Sequence, residues 1–428
     1  MGFTGIWLPP ALEASGPSDV GYGIKNWFSF DNTKYGDETE LRGACEALNN
    51  ENIEVYHDTV HNHLMGGEAE HDVLCLHVKK NNKNEPIQQN SVPFRATVYS
   101  GFSWLGFNHA NFDAYHPNDH DVWALSGKKF DREAHLDPLI GCDLDFDNFE
   151  LVQKLEESGH WFRDRILVDG YRFDAVKHIR PKGTLNFLTA MRRGASRALF
   201  AVGEFLDENI DLLHEYIGQT LGQISLFDFP LQRKLVLASQ ARTSFDMGSL
   251  HTRTLTSEQP THSVPFVHSH DDQPSMHGGD HRGHYIGDWF ISQAYAMVLL
   301  RNEGYPLVSN VDVLRHENMI RRYILARTNC TFGHRHDAFD HAQTVGWSFS
   351  GHTGFDNAMA VVITTGDHGR KWLPVGKAHV AFRDLTEALD QTIWTNEHGW
   401  AEFECPRENS SVWVEATKWE QLMGQLRG

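Results

Sequence analysis

The chain of 428 residues carries, at residues 168–178, the stretch VDGYRFDAVKH. Its first part is apolar enough to form a buried strand, and it ends in Asp174 and the basic pair Lys177 and His178. Three other stretches have the same character, an apolar run that ends in acidic or histidine side chains. They are VYHDTVHNH (55–63), FAVGEFLDEN (200–209) and PFVHSHDD (265–272).

The spacing of these strand ends predicts a βα barrel. Asp174 and Glu204 lie 30 residues apart, about the length of one βα unit, and Asp271 follows 67 residues later. In such a barrel the carboxyl ends of the strands converge on one face, where active sites lie. Two carboxylates on neighbouring strands, with a third across the barrel mouth, would supply a nucleophile, an acid and a stabiliser. We therefore predict a glycosidase.

Strand and helix patterns alternate along much of the chain. Seven apolar runs predict buried parallel strands, at residues 2–10, 53–60, 166–174, 199–205, 224–231, 264–271 and 305–312. Apolar spacing near 3.6 predicts helices at residues 39–52, 150–166 and 288–304. A closed barrel needs eight strands, and the first run has no βα unit before it. The expected fold class is α/β, a (β/α)8 TIM-type barrel whose first strand and helix are absent.

Two segments depart from this alternation. Residues 64–147 are too many for one helix and rich in Asn, His, Gly and Asp, which predicts a small irregular domain B inserted in the barrel. From residue 343 apolar and polar residues alternate between turn signals, which predicts a C-terminal antiparallel β-sandwich, domain C, over 343–428. The barrel, domain A, then comprises residues 1–63 and 148–342.

Composition narrows the classes of partner. The formal net charge is −19, from 57 acidic and 38 basic residues, so nucleic acid and anionic membrane surfaces are disfavoured as partners. Neutral polymers such as glucans are partners that this charge does not disfavour. Five scattered cysteines without a CxxC pair favour a reducing compartment, which predicts a cytoplasmic protein unless a signal peptide precedes Met1. The sequence lacks an apolar run of 18 residues, so we expect no membrane span.

These motifs, in this order, resemble the α-amylases of glycoside hydrolase family 13 over nearly the whole chain. The resemblance rests on GFTGIWLPP (2–10), DVGYG (19–23), KYGDETEL (34–41), DTVHNH (58–63), DGYRFDAVKHI (169–179), VGEF (202–205), FVHSHDDQP (266–274), GYP (304–306) and GWAEFEC (399–405). VKHI, HDDQP and the run Phe339–Asp340–His341 are similar to the bacterial liquefying and intracellular subgroup. The resemblance implies endo-hydrolysis of α-1,4-glucosidic bonds in starch, glycogen or maltodextrin, with α-glucan or maltooligosaccharide as partner.

The resemblance also assigns the three acidic residues. Arg172 and Asp174 share a strand face, so the guanidinium would keep the carboxylate ionised, as a nucleophile requires. Glu204 closes a buried strand, where desolvation raises a carboxyl pKa and suits a general acid. By resemblance Asp174 is the nucleophile of a retaining double displacement, Arg172 its partner, Glu204 the acid and base, and Asp271 the third catalytic carboxylate. A structural Arg–Asp pair and an acid at a helix N-terminus are the alternatives.

Further substrate-binding residues follow from the same resemblance. Tyr22 would be the aromatic platform at the cleavage subsite, and His63 and His270 would hydrogen-bond the sugar there. Lys177 and His178 would line the leaving-group side.

The chain departs from the family pattern near these residues. It has His268–Ser269 where Asp-Asn is usual, Phe205–Leu206 where Tyr-Trp is usual, and LVSNVD at residues 307–312 in place of an aromatic–Gly–Asp run. The departures leave the carboxylates in place, so they bear on chain-length preference rather than on the reaction.

Calcium is the cofactor that the resemblance implies. Asn62, Asp137 and Asp143, with the carbonyl of His178, match the family's ligands. Hard oxygen ligands from separate loops suit Ca²⁺, which takes 6–8 of them at roughly 2.3–2.6 Å. The ion would join the insertion to the barrel.

Two other functions remain open from sequence. His61 and His63, and likewise His268 and His270, form His-x-His pairs that a zinc-dependent barrel hydrolase would use. An incomplete barrel would instead suit a glucan-binding pseudoenzyme.

Overall fold

The computed structural model describes residues 1–67, 69–79, 82–98, 112–116, 121–125, 140–272 and 285–427. The chain forms two compact units. The N-terminal unit comprises Thr4–Leu206 and Leu212–Leu226, and the C-terminal unit comprises Met1–Phe3, Asp207–Asp211 and Phe227–Gly428. Among the described helices, none combines the length and the apolar character that a bilayer crossing needs.

Strands and helices alternate in the first half of the chain. The strands there are β1 (Gly5–Trp7), β2 (Glu13–Ala14), β3 (Ile24–Asn26), β4 (Glu54–Thr59), β5 (His63–Leu64), β6 (Ala69–Lys79), β7 (Asn82–Pro86), β8 (Val92–Val98), β9 (Phe112–His116), β10 (Asp121–Leu125), β11 (Gly141–Leu144), β12 (Gly170–Phe173), β13 (Phe200–Gly203) and β14 (Ser225–Phe227). The helices are α1 (Glu38–Asn50), α2 (Phe149–Arg163), α3 (Pro181–Arg192) and α4 (Ile210–Gln219), with a 3₁₀ helix at Val176–His178.

A parallel sheet organises the N-terminal unit. Strands β1, β4, β12, β13 and β14 lie side by side in that order. Each falls inside a run that the sequence predicted to be a buried strand, which confirms those five predictions. Because all run in the same direction, the residues that follow them lie at one edge of the sheet.

Capping side chains mark the N-termini of helices α1 and α2 in this unit. Asp37 accepts a hydrogen bond from the backbone of Glu40, and the Glu40 side chain accepts one from the backbone of Asp37, so α1 begins with a capping box. Asn148 caps α2 by accepting from two backbone N–H groups, and α2 buries Leu151 and Phe162 on its inner face. The predicted helices at residues 39–52 and 150–166 are confirmed.

The segment predicted as domain B contains an antiparallel sheet. Its described strands pair in the order β5, β11, β9, β10, β6 and β7, and β8 also pairs with β6, along Ala69–Cys75. Val78, Ala114 and Val122 form a small buried core there. The segment is therefore more regular than its composition predicted, because β-pairing satisfies its backbone even where few side chains are apolar.

The C-terminal unit begins with helices and ends in antiparallel strands. Its helices are α5 (Phe229–Ala241), α6 (Leu255–Glu258), α7 (Ile291–Leu299), α8 (Asn310–Cys330) and α9 (Ala416–Arg427), with 3₁₀ turns at Arg242–Ser244, Met247–Ser249, Pro260–His262 and Asp288–Phe290. Its strands are β15 (Ser263–Val264), β16 (Arg335–Ala338), β17 (Thr344–Phe349), β18 (Met359–Thr364), β19 (His368–Pro374), β20 (Ala381–Asp384), β21 (Thr392–Trp394), β22 (Trp400–Pro406) and β23 (Ser410–Glu415).

Two antiparallel sheets follow α8, and α9 comes after their last strand. One has the order β16, β17, β18, β23, β20 and β21, and the other pairs β19 with β22. Leu373, Phe403 and Trp413 belong to a buried core in this region. The antiparallel character predicted from residue 343 is confirmed, while the boundaries of domains A, B and C and the absence of a first βα unit stay predictions.

Two predicted strands are largely wrong. Of residues 264–271, only Val264 lies in a strand, β15, and Phe266 makes an isolated bridge. Of residues 305–312, only Leu307 makes a parallel bridge, to Phe266, because α8 already begins at Asn310. The polar run Ser-Asn-Val-Asp at 309–312 favours a helix start over a strand.

Candidate active site

One buried arginine joins three carboxylates at the edge of the parallel sheet. Pairing of β4 with β12 sets Arg172 opposite Asp58, and Arg172 Nη1 lies 2.8 Å from Asp58 Oδ1. The same nitrogen lies 2.6 Å from Asp174 Oδ1, and Nη2 lies 2.8 Å from Glu204 Oε2. Arg172 is only 1% exposed. The structure thus brings together the predicted Arg172, Asp174 and Glu204.

The backbone fixes both strand-end carboxylates. Asp174 N donates to Thr59 O at 3.0 Å, and Glu204 N donates to Phe173 O at 2.9 Å, so each residue continues the ladder beyond its strand. Ala175 then turns the chain with a left-handed φ of 48°, and its N–H donates to Glu204 Oε2 at 3.1 Å. An alanine in this conformation is strained by roughly 1 kcal/mol or more, which the surrounding structure must offset.

Burial changes the acidity of Asp174. Burial raises its pKa, the Arg172 guanidinium lowers it and the Asp58 charge raises it again, with a net value of about 6. The sequence predicted that the Arg172 guanidinium would keep Asp174 ionised near neutral pH, and the guanidinium partly offsets the effect of burial. At neutral pH a group with this pKa is still mainly ionised.

Negative charge exceeds positive charge around Arg172. Carboxylate oxygens of Asp58, Asp174 and Glu204 all lie within 2.8 Å of its guanidinium nitrogens, so three carboxyl groups share one positive charge in a buried site. Because an excess of buried negative charge is costly, the site favours binding of a proton by the carboxyl groups.

Asp58 is the acidic residue that sequence reasoning missed. It is 1% exposed, and its Oδ2 accepts hydrogen bonds from Tyr22 Oη at 2.7 Å and Trp7 Nε1 at 3.0 Å. The Arg172 guanidinium also lies over the rings of Trp7 and Tyr22, 4.9 and 5.6 Å from their centroids. The available signal was its position at the start of DTVHNH (58–63), next to the end of a predicted strand.

The predicted substrate-binding residues of this unit line the same sheet edge. His63 Nε2 donates to Tyr22 O at 2.9 Å, and burial lowers the pKa of His63 to about 4, so its ring is neutral at neutral pH. Lys177 Nζ donates to Leu206 O at 3.0 Å, which connects the loops after Asp174 and Glu204. His178 ends the 3₁₀ helix beside them.

Asp271 and His270 belong to the C-terminal unit. His270 Nε2 lies 3.3 Å from Asp271 Oδ1, and the Asp271 side chain is 45% exposed. His268 fixes the start of this turn by donating from Nδ1 to Asp312 Oδ2 at 3.0 Å. The convergence of Asp271 with Asp174 and Glu204 stays a prediction.

Two of the four predicted calcium ligands meet in the described residues. Asn62 and Asp143 are each 1% exposed, and pairing of β5 with β11 brings their segments together, with Leu144 N donating to Asn62 O at 3.2 Å. Within the part of the chain that the structure describes, Asn62 Oδ1 is buried and accepts no hydrogen bond, as suits a cation ligand. Asp137 lies outside the described residues.

The histidine pairs do not favour zinc. Both ring nitrogens of His268 have protein partners, since Nδ1 donates to Asp312 and Nε2 accepts from Ile286 N at 3.3 Å. Burial lowers the pKa of His61 to about 3, and its ring packs against Phe187 with centroids 4.4 Å apart. The described residues, searched by themselves, contain no cluster of three or more His, Cys, Asp or Glu arranged for a metal.

Comparison with solved structures identifies the fold. An α-amylase from Geobacillus thermoleovorans, in complex with acarbose, aligns with a TM-score of 0.66 at 16% identity, over 97% of this chain and 88% of that chain. An Anoxybacillus α-amylase aligns with a TM-score of 0.69 at 16% identity, over 97% and 87%. These matches show that the chain has the α-amylase fold.

Comparison of sequences identifies the family. Residues 1–391 match the family described as "Alpha amylase, catalytic domain". An α-amylase of Geobacillus stearothermophilus is 33% identical over 97% of this chain and 81% of its own length. The cytoplasmic α-amylase of Escherichia coli strain K12 is 30% identical over 97% of this chain and 92% of its own length. The chain belongs to the α-amylase family of glycoside hydrolases.

Proposed function

We propose that this chain hydrolyses internal α-1,4-glucosidic bonds of starch, glycogen or maltodextrin by a retaining double displacement. The observation that carries the proposal is the buried Arg172, which holds Asp174 and Glu204 at one sheet edge, where burial raises the pKa of Asp174 to about 6. Relatives at 30–33% identity over most of the chain, named α-amylases, support the same activity.

Asp174 and Glu204 divide the chemistry between them. Glu204 gives its proton to the glycosidic oxygen while the Asp174 carboxylate attacks the anomeric carbon, so the C–O bond to the leaving chain breaks as a glycosyl ester forms. Glu204, now ionised, takes a proton from water, which attacks the same carbon and releases Asp174. Both steps invert the carbon, so the product keeps the α configuration.

The remaining polar residues position the reacting groups. Asp58 holds the Arg172 guanidinium at Nη1, the nitrogen that also contacts Asp174, and Tyr22 is fixed through its hydroxyl to Asp58. We assign Asp271, His270 and His63 to binding of the sugar at the cleavage subsite, and Lys177 and His178 to the leaving-group side.

We propose that Ca²⁺ binds at Asn62 and Asp143, with Asp137 and the carbonyl of His178 completing the protein ligands. The buried Asn62 Oδ1 and the buried Asp143 support this set. The ion would supply structural cross-linking of β5, β11 and the 3₁₀ helix after Asp174, without touching the bond that is cleaved.

A reducing compartment suits the cysteines. All five are buried and unpaired with one another, and a relative carries the name cytoplasmic α-amylase. We propose a cytoplasmic location, which fractionation of the native cells with an antibody to this chain would test. Recovery outside the cell would contradict it.

Soluble starch tests the activity. We expect the iodine colour to fall faster than reducing ends appear, because internal cleavage shortens long chains first. Proton NMR during the first minutes should show the α-anomer of the new reducing end. Binding of maltodextrin without any reducing-end release would instead support a glucan-binding pseudoenzyme.

A further inference from the structure

The C-terminal unit has an open groove that shares no residue with the Asp174 site. Its volume is 580 Å³, within the range of roughly 300–1,000 Å³ typical of small-ligand sites. Asn302, Glu303, Tyr305, Arg335 and Asp337 are among the residues that line it. Neither the catalytic mechanism nor the calcium site uses any of them.

The groove lies at the start of a strand segment. Tyr305 N donates to Ser263 O, and Leu307 N donates to Pro265 O, each at 2.9 Å, so the groove borders the amino end of β15. Asp271 follows the carboxyl end of the same segment. The groove and the Asp271 turn are therefore at opposite ends of this segment.

A fixed network of polar side chains forms its floor. Arg335 donates to Asn302 Oδ1 at 2.9 Å, to Glu303 Oε1 at 2.7 Å and to Asp337 Oδ2 at 3.2 Å. Arg301, 1% exposed, donates to Glu303 Oε2 and to Asp337 Oδ1, each at 3.0 Å. The donors and acceptors are held in place before any ligand arrives, which reduces the entropy cost of binding.

Charges in this floor balance. Two guanidinium groups face two carboxylates. His251 Nε2 lies 3.4 Å from Glu303 Oε2. A strongly charged ligand would meet like charges here, and the net charge of −19 repels polyanions in addition. A neutral ligand rich in hydroxyl groups can instead accept from Arg335 and donate to the carboxylates.

An aromatic residue and two glycine turns form the walls. Tyr305 is 50% exposed, so part of its side chain faces solvent. Gly304 and Gly333 have φ values of 68° and 82°, and a Cβ on Gly333 would lie 2.0 Å from Gly351 O. Only glycine fits there without displacing the backbone of Gly351.

We propose that this groove is a second binding site for a neutral α-glucan segment, which stacks on Tyr305 and hydrogen-bonds the floor formed by Asn302, Glu303, Arg335 and Asp337. The choice of an α-glucan over other neutral polyols rests on the proposed function. The site would hold the polymer to the enzyme while the bond is cleaved elsewhere.

Adsorption to insoluble starch granules at 4 °C tests the groove, with hydrolysis of soluble maltopentaose as the parallel readout. Tyr305→Ala should weaken adsorption about three- to tenfold, the value expected for loss of one stacking contact. Tyr305→Phe keeps the ring and should adsorb like the unsubstituted protein. Trp394→Ala removes another exposed aromatic ring, 64% exposed on β21, and should also adsorb normally.

The outcomes separate the groove from the catalytic proposal. Maltopentaose hydrolysis by Tyr305→Ala should stay within about twofold, and equal adsorption of Tyr305→Ala and the unsubstituted protein would overturn the second site. An equal loss in Trp394→Ala would do the same. Failure of the proposed function has a different signature, since the unsubstituted protein would leave maltopentaose intact, while adsorption that depends on Tyr305 would still support the groove.

Discussion

Arginine holds carboxylates in two places in this molecule, and the charge balance differs between them. In the N-terminal unit one guanidinium, Arg172, faces Asp58, Asp174 and Glu204, so negative charge exceeds positive charge in a buried setting. In the C-terminal unit Arg301 and Arg335 face only Glu303 and Asp337. In the first cluster burial and the charge of Asp58 raise the pKa of Asp174, which suits acid–base chemistry. In the second cluster the guanidinium groups and the carboxylates are equal in number, and together they form a fixed polar surface.

The largest expected effect is on turnover when the unbalanced cluster loses a reacting group. Asp174→Asn removes the nucleophile and Glu204→Gln removes the proton donor, so each should lower kcat on soluble starch by at least roughly 10³-fold. The melting temperature should change little, because both side chains keep their shape. A loss of less than tenfold in either variant would remove the assignment.

Acidity of the unbalanced cluster should appear in the pH profile. Protonation of Asp174, whose pKa is about 6, removes the nucleophile, so kcat/KM should fall about tenfold per pH unit below that value. Because the Asp58 charge raises the pKa of Asp174, Asp58→Asn should move this acidic limb to lower pH. A limb that stays in place, or moves upward, would show that the two carboxylates do not interact as described.

Calcium removal should lower stability rather than alter the carboxylate cluster. A ligand present at 100 times its Kd stabilises by about 2.7 kcal/mol, so chelation should lower the melting temperature by several degrees, with recovery on adding Ca²⁺. In Asn62→Ala the melting temperature should no longer respond to chelator. An unchanged melting temperature on chelation of the unsubstituted protein would contradict the ligand set.

The smallest effect is expected from the balanced cluster. Asp337→Asn is the matched counterpart of Asp174→Asn, since it also neutralises an arginine-bound carboxylate. The Asp337 side chain is 35% exposed, so its loss should cost about 0–1 kcal/mol of unfolding free energy and leave maltopentaose turnover within about twofold. A kcat loss comparable to that of Asp174→Asn would erase the distinction between the clusters.

The sequence was most informative where neighbours in the chain are also neighbours in space. Arg172 and Asp174 share a strand face, so their contact followed from spacing alone. Asp58 was missed because its partner lies 114 residues further along the chain, a pairing that only the register of β4 and β12 reveals. The rise in the pKa of Asp174 could not be predicted for a related reason, since burial is a property of the fold and not of a motif.

Predictions of whole strands and sheets were limited in the same way, because pairing between distant segments is not visible in the sequence. Five buried strands of the parallel sheet could be predicted from continuous apolar runs, which tertiary pairing reinforces. Residues 305–312 have a similar apolar start, but the polar run at 309–312 begins α8 instead. The antiparallel sheet that includes β6 and β10 was not predicted, because its pairing uses backbone groups that leave a weak side-chain pattern.

The most direct test of the account is to identify the residue that becomes covalently attached to the sugar. Glu204→Gln incubated with α-maltotriosyl fluoride, whose leaving group needs no acid, should accumulate the glycosyl ester because the second step lacks its base. Proteolysis and mass spectrometry should then find the added maltotriosyl mass on Asp174. The same mass on another carboxylate, or turnover of the fluoride to a β-configured product without an adduct, would contradict the division of roles between Asp174 and Glu204.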